Sequence, residues 1–276
     1  MKNVLNKIKH LTLFDKLVFA FVAMVIVFFT FTFFRKTTYI TLTIKVGEDT
    51  VSWPHWSRAW FSQLFHEGMK EKDGLGTVNA EVLKVRSYDI WPAKKAVYLT
   101  TRVKVVYSRS SDQNTYKGLP VLIGATIKMY LDKVLVDGLV TNIEGVIDSR
   151  ERKTILVEAQ IKEESPTFPE TSGTKQYIAD AINIGQKILD DQGNVIIEIT
   201  GKRVEDAKRN IFTDDGRALI GINPLRKDVY LTLKLESIKL QNRYYLFDDI
   251  PILIGQTIPI NLSTISVFPE ITKIIN

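Results

Sequence analysis

The eighteen positions from Leu17 to Phe34 carry no charge, no glycine and no proline. At 1.5 Å per residue they reach about 27 Å, close to the hydrocarbon thickness of a bilayer, so the pattern predicts a transmembrane helix over residues 17–34 with Asp15 as its N-cap. A cleaved signal peptide would have a shorter apolar core and a small-residue cleavage site, whereas Arg35 and Lys36 follow directly. Beyond them the periodicity changes. Residues Tyr39 to Val46 alternate apolar and polar, the period of a half-buried strand. Trp56, Trp60, Leu64 and Phe65 recur at helical spacing, which predicts a helix over residues 57–70. Trp53, Trp56 and Trp60 either form an aromatic belt at the membrane or pack that helix onto a sheet. Val78 to Tyr88 and Ala96 to Tyr107 read as strands, joined by a turn over residues 91–95, with a polar hairpin loop over residues 108–114.

The pattern then repeats. Leu119-Pro-Val-Leu-Ile-Gly124 and Ile250-Pro-Ile-Leu-Ile-Gly255 are one phrase, and each is followed by x-Thr-Ile. Val97-Tyr-Leu-Thr100 returns as Val229-Tyr-Leu-Thr232, and Gly76-Thr-Val78 as Gly193-Asn-Val195. The strand Ile40 to Val46 has its counterpart in Ile155 to Ile161, and the Trp56 helix in a helix over Lys175 to Leu189. Correspondences kept in one order along the chain indicate two copies of one strand-helix-strands unit. The expected organisation is a basic stub (1–16), the anchor helix (17–34), a first β-rich domain (37–148) and a second (153–276). The fold class is therefore mainly β with one helix per unit (α+β): a transmembrane helix followed by two tandem small β-barrel or sandwich domains. Residues 207–227, with Asp214-Asp-Gly216 and Asn223-Pro224, read as a loop inserted in the second copy, and residues 165–173 as another. In both copies the glycine of the shared phrase, Gly124 or Gly255, is expected to turn the chain into the next strand.

Charge confines the basic character to the anchor. Six Lys and Arg against Asp15 leave +5 in residues 1–36; the whole chain is +6, so residues 37–276 carry +1. A nearly neutral body lacks the basic surface that nucleic-acid binding requires. Lys2, Lys7, Lys9 and Lys16 precede the apolar run, against Arg35, Lys36 and Lys45 after it. The positive-inside bias thus places the N-terminus in the cytoplasm and the body outside the cytoplasmic membrane. There is no cysteine, which excludes disulfides and thiolate metal sites. His55, His66 and Glu67 fit no zinc spacing. The acidic pairs Asp190-Asp191, Asp214-Asp215 and Asp248-Asp249 sit beside glycine or a strand start, where carboxylates serve turns. No catalytic residue, cofactor site or metal site is expected.

The phrase carried by Tyr116, Gly118, Ile123, Gly124, Ile127, Gly138 and Val140, behind an anchor entered through Leu13-Phe-Asp-Lys-Leu17, resembles a family of prokaryotic single-pass membrane-anchored domains of unknown function. The second copy keeps Ile254, Gly255 and Ile258 but has Asp248 or Asp249 for the first glycine and Pro269 near the last, which questions its final strand pairing. With the duplicated phrase, the residues singled out as a structural motif are Gly118, Pro120, Gly124, Gly138, Pro251 and Gly255; the apolar run and its flanks give an anchor and interface set of Asp15, Lys16, Arg35, Lys36, Trp53, Trp56 and Trp60, and the resemblance brings no catalytic residues. Gly118 to Ile143 is also similar, more loosely, to mammalian-cell-entry β-barrel domains, which form lipid-carrying rings. Two functions follow as expectations. One is an anchored adaptor that binds another envelope component through its β-domains; the other is an oligomeric lipid carrier. The partners expected are the bilayer, an envelope protein and further copies of the chain, and not nucleic acid.

Overall fold

The computed structural model describes residues 12–33, 38–47, 57–108, 110–146, 150–162 and 173–275. Arg35, Lys36, Trp53, Trp56 and nearly all of the 165–173 loop lie outside the described residues. Contacts divide the chain into an N-terminal unit (1–38) and a body (39–276). The N-terminal unit contains helix α1 (Leu13–Phe33), 21 residues long, or about 31 Å. The helix begins earlier than the apolar run, so Asp15 lies in its first turn and Thr12 takes the N-cap position; there a carboxylate still favours the positive end of the helix dipole. Side chains of α1 are described at residues 14 and 17–28, and all are exposed. Within what is described, no helix is long and apolar enough to cross a membrane.

The body is mainly β and barrel-like. The first copy contains β1 (Thr38–Gly47), β2 (Ser57–Arg58), α2 (Ala59–Ser62), β3 (Lys70–Lys72), β4 (Val78–Trp91), β5 (Lys94–Ser108), β6 (Gln113–Tyr116), β7 (Leu119–Pro120), β8 (Thr126–Leu131) and β9 (Val134–Ile143). The second contains β10 (Glu151–Ile161), β11 (Thr174–Lys175), α3 (Gln176–Ala181), β12 (Lys187–Leu189), β13 (Val195–Phe212), β14 (Ala218–Leu240), β15 (Arg243–Leu246), β16 (Ile250–Pro251), β17 (Ile260–Asn261), β18 (Ser266–Val267) and β19 (Glu270–Ile275). Strand order is β3-β4-β5-β1-β9-β8 in one sheet and β12-β13-β14-β10-β19 in the other. The same antiparallel path is laid down twice, with β1 matched by β10 and β9 by β19.

Strand patterning follows the sequence closely. In β8 burial alternates so that Ile127, Met129 and Leu131 face the core. The predicted helices are much shorter than expected. Only residues 59–62 and 176–181 are helical, because Gly68 and Gly185 take φ of +86° and +88° and reverse the chain into β3 and β12. Trp60 is 59% exposed and Leu64 43%, while Phe61, Phe65 and Met69 meet the core instead. Likewise Tyr177 and Ile184 are exposed, and Ala179 and Ile182 are buried.

Those two glycines belong to a set of four. The N–H of Gly68 donates to the Val82 carbonyl, Gly124 to Val140, Gly185 to Ile199 and Gly255 to Ile271, each at 2.8 Å. In return Val82 donates to Met69, Val140 to Ala125, Ile199 to Gln186 and Ile271 to Gln256. All four glycines have φ between +85° and +89°. Each copy is thus built from two halves that share one turn, with the paired residue 14 positions on in the first half and 16 in the second.

The copies differ at their last strands. Six consecutive pairs join β8 to β9. Their counterparts in the second copy share one bridge, Thr257 with Glu270, plus the Ile258 N–H to the Pro269 carbonyl at 2.9 Å. Pro259 and Pro269 lack the N–H a ladder needs, so Ile260 and Asn261 pair with β18 instead.

The 207–227 segment is no loop. β13 and β14 continue as one hairpin to the Thr213–Arg217 turn, with Ala207 paired to Asn223 and Phe212 to Ala218. The register jumps between Asp206 (paired with Lys227) and Ala207 (paired with Asn223). Pro224, Leu225 and Arg226 are thereby left as a bulge at the base of the arm.

Candidate functional site

The two copies meet in a shared core. Tyr88, Ile90, Ala96 and Tyr98, from the far end of the β4–β5 hairpin, pack in one cluster with Ile155, Val157, Leu233, Phe247 and Ile271 of the second copy. The hairpin, with strands of 14 and 15 residues, ends in a tight turn at which Trp91 pairs with Lys94 and Ala93 takes φ +64°. Tyr88 stacks at 5.3 Å on Phe247, and Trp91 lies 4.4 Å from Phe268 at 31°. Asn261 Nδ2 donates to the Asp89 carbonyl at 2.8 Å, and the Ser87 N–H to Asp191 at 2.9 Å.

Charged groups lie within this junction. Where the first copy closes β6 and β7 with a two-residue turn, Lys117-Gly118, both at positive φ, the second inserts one residue. Its turn is Phe247-Asp248-Asp249, between Leu246 and Ile250, with Phe247 and Asp248 left-handed. The longer turn carries two carboxylates towards the first copy. Arg86 Nη1 lies 2.8 Å from Asp248 Oδ2, with the side chains 13% and 4% exposed. Lys45, 1% exposed, donates to Asp249. Burial pushes the Asp248 carboxyl above the usual carboxylate range, opposed by Arg86, Arg150 and Arg152. Burial also raises the Tyr98 hydroxyl, and the Asp249 and Asp248 charges reinforce it. At the positions corresponding to Lys45 and Glu71 the second copy has Gln160 and Ile188, so the repeat is chemically unequal at its buried polar sites.

Beside the Lys45–Asp249 pair opens a cleft of about 270 Å³, lined by Ile90, Trp91, Ile250, Pro251, Pro259 and Phe268 with Gln256 and Thr257 at its edge. Its walls come from both copies. Mostly apolar lining with a few fixed polar groups is the usual make-up of a recognition pocket, and the volume sits just below the range of drug-sized ligand sites. Because Asp249 neutralises the ammonium group, the cleft suits an uncharged apolar group such as a buried side chain. It presents no nucleophile paired with a base.

The residues singled out from the sequence divide into two sets. Gly124 and Gly255 occupy equivalent turns, at φ +89° and +85°. Gly138 is needed for close approach: a Cβ there would lie 3.2 Å from the Lys45 carbonyl and 3.3 Å from Ile44 Cδ1. Gly118 serves the turn before Pro120, and Pro251 alone of the set reaches the cleft. Of the interface set, Trp60 is exposed, Lys16 lies in the first turn of α1, and Trp53, Trp56, Arg35 and Lys36 fall outside the described residues. Among the described residues no cluster of His, Asp and Glu could hold a metal ion. Asp190 does serve a turn, accepting the N–H groups of Gln192 and Asn194 at 3.0 and 2.8 Å. Asp248 and Asp249 are the residues that reading by neighbours missed; their one legible signal was that they replaced the glycine of the first copy. Comparison with protein-family profiles, curated proteins and solved structures finds no match for this chain.

Proposed function

We propose that the protein is a single-pass, membrane-tethered, non-enzymatic adaptor. Its basic stub lies in the cytoplasm, residues 17–34 cross the cytoplasmic membrane, and its body outside holds an apolar side chain of an envelope protein in the cleft between the two copies. The tether rests on the uncharged run and the lysines before it. Binding rests on one observation: the cleft is made jointly by Trp91 of the first copy and Pro251, Pro259 and Phe268 of the second. A duplicated fold fused through a shared core gains a surface that neither copy has alone.

The test places a photo-reactive benzophenone amino acid at Trp91 and, as a control, at Leu75, which is 91% exposed on a remote turn. Irradiation of intact cells should give one protein adduct of defined mass from position 91 and none from 75. Thr257→Glu, which puts a charge at the edge of the cleft, should remove it. Equal adducts from both positions, or none from 91, would contradict the proposal.

A further inference from the structure

The arm formed by residues 207–223 has no role in the cleft and shares no residue with it. Among the described residues, its two strands pair only with each other. A two-stranded ribbon is marginal in water, and stable sheets need at least a third strand. The arm also displays apolar side chains: Leu219 is 53% exposed, Ile220 75% and Ile222 68%, with Leu225 in the bulge at 80%.

Its two edges are unlike. The β13 edge, Ala207-Lys-Arg-Asn-Ile-Phe212, carries Lys208 and Arg209, the charged residues by which natural sheets discourage edge pairing. The β14 edge, Ala218-Leu-Ile-Gly-Ile-Asn223, has no charge and no proline. One guarded edge and one open, apolar edge is what remains when a four-stranded antiparallel sheet is cut along its two-fold axis. An antiparallel edge is complementary to itself about such an axis, as isologous dimers require.

We infer that two copies of this chain pair through residues 218–223 of β14. The sheet runs β13-β14 of one copy, then β14-β13 of the partner, so both apolar edges are inside and both basic strands outside. The opposite pairing, β13 to β13, would place Lys208 and Arg209 against themselves, and like charges across a strand pair are unfavourable.

The test uses the full chain in detergent. Light scattering with size exclusion should give the mass of two chains for the wild type and of one for the double variant Ile220→Lys, Ile222→Lys. Because both side chains are exposed in the single copy, the variant should keep the circular dichroism spectrum and the cooperative unfolding of the wild type, with the thermal midpoint lowered only by the lost contribution of the dimer. A second measurement exploits the absence of cysteine: when residues 218–223 pair with themselves, Leu219 of one copy faces Ile222 of the other, so the double variant Leu219→Cys, Ile222→Cys should form intermolecular disulfides on mild oxidation, and Lys208→Cys should not. A monomeric wild type, a dimer that survives both lysines, or equal cross-linking from position 208 would overturn the inference. The second outcome would assign the dimer to α1 or another surface and leave the anchor reading intact.

Discussion

Replacing Arg86 by Met removes the partner of Asp248 while keeping most of the stem that packs in the junction. Asp248 is 4% exposed and Arg86 13%, so the pair is a buried one. Breaking such a pair costs about 3–5 kcal/mol, chiefly because a charge is left in a medium that solvates it poorly. Arg150 and Arg152 still act on Asp248, which points to the lower end, about 3 kcal/mol. For a body of this length that corresponds to a fall in Tm of about 6–12 °C. Asp248→Asn in the same background should recover most of the loss, because Asn is neutral and tolerates the left-handed φ of +69° at this position. The pH dependence has a definite sign. Burial raises the Asp248 pKa in the folded state above its unfolded value, and loss of Arg86 raises it further. The folded variant therefore binds its proton more tightly than the unfolded chain does. The deficit should be full above the folded-state pKa and narrow as the pH falls through it. The assay is urea unfolding followed by tryptophan fluorescence and far-UV circular dichroism. Because Tyr88, Ile90, Ala96 and Tyr98 of the first copy pack in the core cluster of the second, the two copies should unfold together, and the two probes should give a single coincident transition. A loss below about 1 kcal/mol, no recovery in the double variant, or two separated transitions would refute the reasoning.

Gly124→Val and Gly255→Val should each cost about 1–3 kcal/mol through the positive φ alone, since nothing lies within 4 Å of either Cβ position; urea unfolding should show both probes shifting together in either variant. Glu71 is 4% exposed and accepts hydrogen bonds from Tyr116, Lys117 and the Tyr130 N–H. Glu71→Leu should lower the stability by about 1–3 kcal/mol, because the buried Tyr116 hydroxyl is left without that partner, and Tyr116→Phe in the same background should restore part of it.

Much of this fold is legible in the chain itself. Alternation located β1 and β8, and the recurrence of Leu-Ile-Gly and Ile-Leu-Ile-Gly revealed the duplication. The helices were overestimated because Trp60, Leu64, Tyr177 and Ile184 mimic a helical stripe, while the turns at Gly68 and Gly185, which decide the matter, look like ordinary glycines. Their kinship with Gly124 and Gly255 is carried by backbone hydrogen bonds and a spacing of 14 rather than 16, with little shared side-chain identity. The arm was hidden by Asp214-Asp-Gly216 and Asn223-Pro224. The first is the turn at its tip and the second the bulge at its base, and both read as loop. The cleft was not legible at all: its walls are more than 150 residues apart in sequence, and its floor depends on one inserted residue in the β15–β16 turn.

The central claim is a body outside the membrane on an anchor whose N-terminus is inside, and thiol accessibility tests it most directly. Leu75 is 91% exposed, so Leu75→Cys puts a single thiol into a chain that otherwise has none. In intact spheroplasts a membrane-impermeant maleimide should label it fully, and a cysteine placed in the 1–16 stub should react only after lysis. Labelling of position 75 only after lysis would contradict the account.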